Sequence, residues 1–254
     1  MSQEFLLVLC AAFGAGCIDA IVGGGGLIQA PALFSVYANT PPAFLLGTNK
    51  FAAIFGTANA AWRYSRKINI AWRAVLPLAL WVLVTAASGA VVATRVPPKV
   101  FRPLVPILLS AVLLYILRNK TLGDEHRPRA FAREHHVWAA LLIGAIGFYD
   151  GFFGPGTGSF LMFVFIRLYG YDFLNAAANA RVLNVATNLA ALTYFGVNGY
   201  VLWQVAVGMA VANVAGSMLG TRLALRGGNV LVRKIFIVVV SALILRTLWV
   251  AISG

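Results

Sequence analysis

Residues 19–26 read DAIVGGGG and residues 150–158 read DGFFGPGTG, each inside an otherwise apolar run. An aspartate four positions ahead of a glycine cluster is therefore written twice, at an offset of 150 − 19 = 131. The same offset sets Gly23 on Gly154, Gly25 on Gly156, Lys50 on Arg181 and Trp72 on Trp203, and continues to Gly89 with Gly220, Arg95 with Arg226, Arg102 with Arg233 and Ser110 with Ser241. A register held without a gap over most of each half points to a duplicated unit of roughly 120 residues, the usual construction of secondary transporters. Each glycine cluster is expected to break the helix that carries it. Glycine reaches backbone conformations closed to other residues, and Pro155 lacks an amide donor.

Composition agrees with a chain dissolved in lipid. Of 254 residues, 61% are hydrophobic and 11% charged, with a mean hydropathy of +0.85, which excludes a water-soluble domain. Spanning helices take about 20 apolar residues each, leaving room for about seven to nine. Eight apolar segments can be drawn, at 4–37, 43–62, 72–94, 99–117, 137–167, 172–195, 200–225 and 229–252. The expected fold is thus an all-α polytopic membrane protein of eight transmembrane helices. It divides into a first repeat over 1–117, a polar linker over 118–136 and a second repeat over 137–254, with the first helix of each repeat broken. The N-terminal apolar run lacks a basic leading region and exceeds signal-peptide length, so it is expected to remain as the first span.

The net charge of +13 comes from short stretches between apolar runs, where positive-inside topology and anionic headgroups account for it; nucleic acid is not an expected partner. Basic residues fall on alternating sides if every segment spans, so the charge count leaves orientation nearly tied; the reading adopted places the linker in the cytoplasm. Whether the repeats run parallel or inverted depends on whether each has an even or odd number of spans. Cys10 and Cys17, seven apart on one segment, read as packing residues. His126, His135 and His136 lie in the polar linker with no cysteine nearby, and no metal or cofactor is expected.

The candidate site lies inside the apolar segments. A half-helix resuming after each break would present Gly24, Gly25 and Gly26, or Gly156, Thr157 and Gly158, at its positive end, where anions bind well. At membrane depth such irregular backbone survives only when buried in protein or lining a wet cavity. Lys50 and Arg181 sit mid-segment, where insertion costs about 2.5–3.5 kcal/mol each, so both should face inward to a partner. That partner is either a substrate or a protein carboxylate, Asp19 for Lys50 and Asp150 for Arg181. The two aspartates are also the proton-coupling candidates. Thr48, Asn49, Asn179 and Asn184 join them as substrate-binding candidates, with Thr57, Asn59, Thr187 and Asn188 nearby; interhelical hydrogen bonding is the alternative use of these groups. Trp72 and Trp203 begin segments, as interface anchors do.

Together, Asp19, the Gly23 to Gly26 run with Pro31, Gly47-Thr48-Asn49-Lys50, Gly154-Pro155-Gly156-Thr157-Gly158 and Asn179-Ala180-Arg181 resemble the sulfite exporter TauE/SafE family over almost the whole chain. The resemblance implies a bacterial inner-membrane permease exporting sulfite, sulfonates or other small sulfur-containing anions. The residues themselves indicate only two cations, two broken-helix ends and amide donors, which suit a small oxyanion or carboxylate.

A secondary transporter is thus the expected function, with a small anion and the lipid bilayer as partners and self-association permitted. An anion channel would use the same residues. An intramembrane enzyme is the third reading, but there is no His or Cys metal cluster, no Gly-x-Ser-x-Gly elbow and no histidine within a span, so no catalytic residue is assigned. No Walker sequence is present, leaving an ion gradient or the membrane potential as the energy source.

Overall fold

A computed structural model describes residues 3–95, 114, 118, 123–129 and 133–253. The expected segment at 99–117 lies outside the described residues except for Leu114, as do residues 119–122 and 130–132 of the linker. The described residues form eight helices and no strand: α1 (Gln3–Val22), α2 (Gly26–Val36), α3 (Pro42–Ser65), α4 (Trp72–Ala93), α5 (Arg133–Phe152), α6 (Thr157–Arg167), α7 (Phe173–Val197) and α8 (Trp203–Ser253).

Local chemistry explains the boundaries. Pro42 opens α3 with the φ that a first helical turn needs. Asp172 caps α7, its carboxylate accepting the Asn175 amide at 2.7 Å. The segments at 4–37 and 137–167 are both interrupted at their glycines: α1 ends at Val22 before Gly23 (φ 82), and α5 ends at Phe152 before Gly154 (φ 92) and Gly156 (φ 87). As one straight rod, the 51 residues of α8 would run about 75 Å, more than twice a bilayer's roughly 30 Å core. Gly228 (φ 63, ψ −162) interrupts it, leaving arms at 203–227 and 229–253 that correspond to the last two expected segments.

Small residues let the helices approach closely. α1 packs along the 203–227 arm, where a Cβ on Gly220 would strike the Cys17 backbone; α4 packs along α5, where one on Gly89 would strike the Phe148 backbone. Between these pairs lie α3 and α7, in contact with one another. Around α7, every residue from Ala176 to Arg181 is buried.

The polarity of the molecule is inverted relative to a water-soluble fold. Leu80 (67% exposed), Trp138 (68%) and Val211 (68%) face outward, whereas Lys50 (2%) and Arg181 (0%) are interior. α1 and α4, with mean hydropathies of 2.3 and 2.2, are each long and apolar enough to cross a membrane. At 24 and 25 residues, α3 and α7 have the length but interrupt their apolar faces with Thr48-Asn49-Lys50 and with Asn179, Arg181, Asn184 and Asn188.

Candidate anion-binding site

The two helix breaks meet at the centre of the molecule. Ser159 Oγ donates to the Val22 carbonyl at 2.7 Å, and Gly23 and Gly158 touch backbone to backbone, so closely that a Cβ on either would collide with the other. Neither α2 nor α6 has a side-chain cap at its N-terminus, and Gly25, Gly26, Thr157 and Gly158 border a cavity there. Its volume is about 30 Å³, room for on the order of two waters.

Around this cavity the charges form two ion pairs. Lys50 Nζ lies 2.9 Å from Asp150 Oδ2, an ion pair by distance whose angles fall outside hydrogen-bond geometry. Arg181 Nη1 donates to Asp19 Oδ2 at 3.1 Å. This corrects the pairing expected from sequence, Asp19 with Lys50 and Asp150 with Arg181. The two breaks meet backbone to backbone at Gly23 and Gly158, and there each aspartate comes within reach of the cation of the other half of the chain. Asp19 has further support: the Thr57 hydroxyl at 3.3 Å and, at a long 3.4 Å, the Gly25 amide. Arg181 Nε and Nη2 are buried without a hydrogen-bond partner among the described residues, and Gly158 stands against this guanidinium, a Cβ there falling 2.8 Å from Nη1 and 2.9 Å from Nη2.

Of the residues expected at the site, Asp19, Gly25, Gly26, Asn49, Lys50, Asp150, Thr157, Gly158 and Asn184 line the cavity, and Arg181 reaches it through Asp19. Gly24 and Gly156 lie in the breaks behind it. Thr48 and Asn179 are engaged elsewhere. Thr48 Oγ1 accepts the Leu202 amide at 2.9 Å ahead of α8, and Asn179 Oδ1 accepts the Ala71 amide at 3.0 Å ahead of α4. Asn59 donates to Ser217 at 2.6 Å, joining α3 to α8. Two polar lining residues were not anticipated, Gln29 and Asn213. Each is a single amide in an apolar run (GLIQAPALF and AVANVAG), and that isolation is the signal that could have found them.

The signature of the sulfite exporter TauE/SafE family matches residues 8–247. The chain belongs to this family. A probable membrane transporter protein of a Sinorhizobium species is 39% identical, over 96% of this chain and 91% of the relative. Another, from Haemophilus influenzae, is 36% identical over 91% and 89%. A third, from Escherichia coli, is 37% identical over 89% and 82%. No solved structure matches the chain. As a TauE/SafE membrane transporter, the chain places its buried charges where the two broken helices meet, around the described cavity.

Proposed function

We propose that this protein is a multi-pass inner-membrane secondary transporter that binds a small anion between its two broken helices and exports it. The single observation carrying this reading is the pair of buried cations, each held by a carboxylate from the other half of the chain, around a small cavity lined largely by polar residues. Protein carboxylates there occupy the place an anion would take. An incoming oxyanion binds by displacing one of them, and a proton accepted by Asp19 or Asp150 would free its cation in the same way. The family description, sulfite exporter, favours sulfite, a sulfonate or thiosulfate as cargo. An inside-negative potential assists loss of a negative charge by about 2.3 kcal/mol per 100 mV, so export needs no nucleotide.

A duplicated architecture of eight spans fits the same picture. Three helix starts recur at the sequence offset: Gly26 and Thr157, Pro42 and Phe173, Trp72 and Trp203, each 131 apart. The ion pairs and the Thr48 and Asn179 contacts also exchange between equivalent positions, since Leu202 and Ala71 again differ by 131. The two repeats would thus be interlocked.

Flux into proteoliposomes tests the reading, with sulfite, thiosulfate, ethanesulfonate, acetate and sulfate offered at several potentials and pH gradients. Saturable uptake of at least one anion is expected, falling by about tenfold or more in a Lys50→Met/Asp150→Asn double variant, which removes the cation without stranding a carboxylate. Uptake no faster than in protein-free liposomes for every anion would overturn it, and non-saturating uptake would favour a channel.

A further inference from the structure

Whereas the charges of the cavity are balanced across the 131-residue offset, its amides are not. Gln29, Asn49 and Asn213 all line it, and all three are at least nine-tenths buried. Their equivalents are Phe160, Ala180 and Val82, every one apolar and buried. Asn184 and Asn188 line the cavity from α7, at positions equivalent to Ala53 and Thr57, so the two ends carry their amides at different positions.

The amide end is held in place. Asn213 Nδ2 donates to Gln29 Oε1 at 2.7 Å, and Gln29 Nε2 donates onward to the Asn49 carbonyl at 3.2 Å. Asn213 is clamped between two helices by glycines: a Cβ on Gly16 of α1 would strike its backbone, and one on Gly56 of α3 would occupy the space of its Oδ1. After these bonds form, Asn49 Oδ1 remains a buried acceptor with no hydrogen-bond partner among the described residues. By contrast, Asn184 Oδ1 accepts both Thr187 Oγ1 and Asn188 Nδ2 at 3.3 Å. A buried acceptor left unmade is costly, and a ligand that supplies the missing donor recovers that cost.

We infer that Gln29, Asn49 and Asn213 form a recognition end, and that the preferred cargo is a small anion carrying a hydrogen-bond donor, such as a hydroxyl, a few ångströms from its charged group. The anionic group lies at Lys50, the next residue along α3, and the donor meets Asn49 Oδ1. This rests on the anion site proposed above and adds the chemistry of the substrate's second group.

Charge-matched pairs differing only in that donor provide the test: glycolate against acetate, and 2-hydroxyethanesulfonate against ethanesulfonate. Apparent affinities come from thermal stabilisation of the full chain in detergent. The hydroxylated member of each pair is expected to bind about tenfold more tightly. Asn49→Ala and Asn213→Val install the residues present at the equivalent positions and should bring the ratio to within about twofold while binding persists. Asn49→Ser, which keeps an acceptor, should retain most of the preference, separating recognition from a loosened fold. If both members of each pair stabilise wild type equally, the recognition end is overturned and the anion site stands. If none of the four stabilises it, the recognition end fails, and the anion site fails with it when sulfite and thiosulfate leave the melting temperature unchanged as well.

Discussion

Removing Lys50 should damage the protein through Asp150. The aspartate is 2% exposed, its cation lies 2.9 Å away, and Lys50→Met would leave a carboxylate uncompensated in an interior that cannot solvate it. Breaking a buried pair from one side costs about 3–5 kcal/mol, whereas replacing both members by neutral groups of similar volume is often close to neutral. For a chain of this length each kcal/mol moves Tm by about 2–4 °C, so the single variant should melt about 6–20 °C below wild type. The double variant Lys50→Met/Asp150→Asn should recover most of that loss. Lys50→Met/Asp19→Asn should not, because Asp19 belongs to Arg181 and its neutralisation strands a second charge. Tryptophan-fluorescence melts of the singles and both doubles in one detergent give the two coupling energies directly. Rescue by Asp19→Asn, with none by Asp150→Asn, would refute the crossed pairing and restore pairing within each half of the chain.

Gly158→Ala should disrupt the contact between the breaks, because its Cβ would meet Gly23 and the Arg181 guanidinium; transport should fall to background, while Gly14→Ala, with open space around it, should keep flux and gain up to about 1 kcal/mol in thermal stability. At Gly228 the surroundings are open but φ is +63 with ψ −162, a combination essentially only glycine adopts, so Gly228→Ala and Gly228→Asn should each cost about 1–3 kcal/mol through backbone strain alone, as read from Tm. Thr48→Ala and Asn179→Ala each remove an acceptor for an amide at a helix start and should lower stability by about 1 kcal/mol while leaving the rank order of transported anions unchanged.

How much of this could be read from sequence follows from the range over which each feature is encoded. The helix breaks were legible because Gly23 and Gly154 act on their own backbone: positive φ is a local property, and a glycine cluster inside an apolar run announces it. That Lys50 and Arg181 turn inward was legible too, since cations in the middle of apolar helices have a single inexpensive direction to face. Which carboxylate each cation meets was not. The offset relates Asp19 to Asp150 and Lys50 to Arg181 as equivalent positions, and equivalence is satisfied equally by pairing within one half of the chain or between the halves. The choice depends on how the two breaks meet, which is fixed by backbone contacts such as Gly23 on Gly158 between residues 135 positions apart. The same limit explains Thr48 and Asn179. Their polarity inside α3 and α7 gave no means of separating a cavity wall from an acceptor for the amides of Leu202 and Ala71, because the partner lies on another helix. Gln29 and Asn213 fail in the opposite sense: each is one amide in an apolar run, too weak a pattern alone, and they become a site only when the folded chain brings them within 2.7 Å of one another.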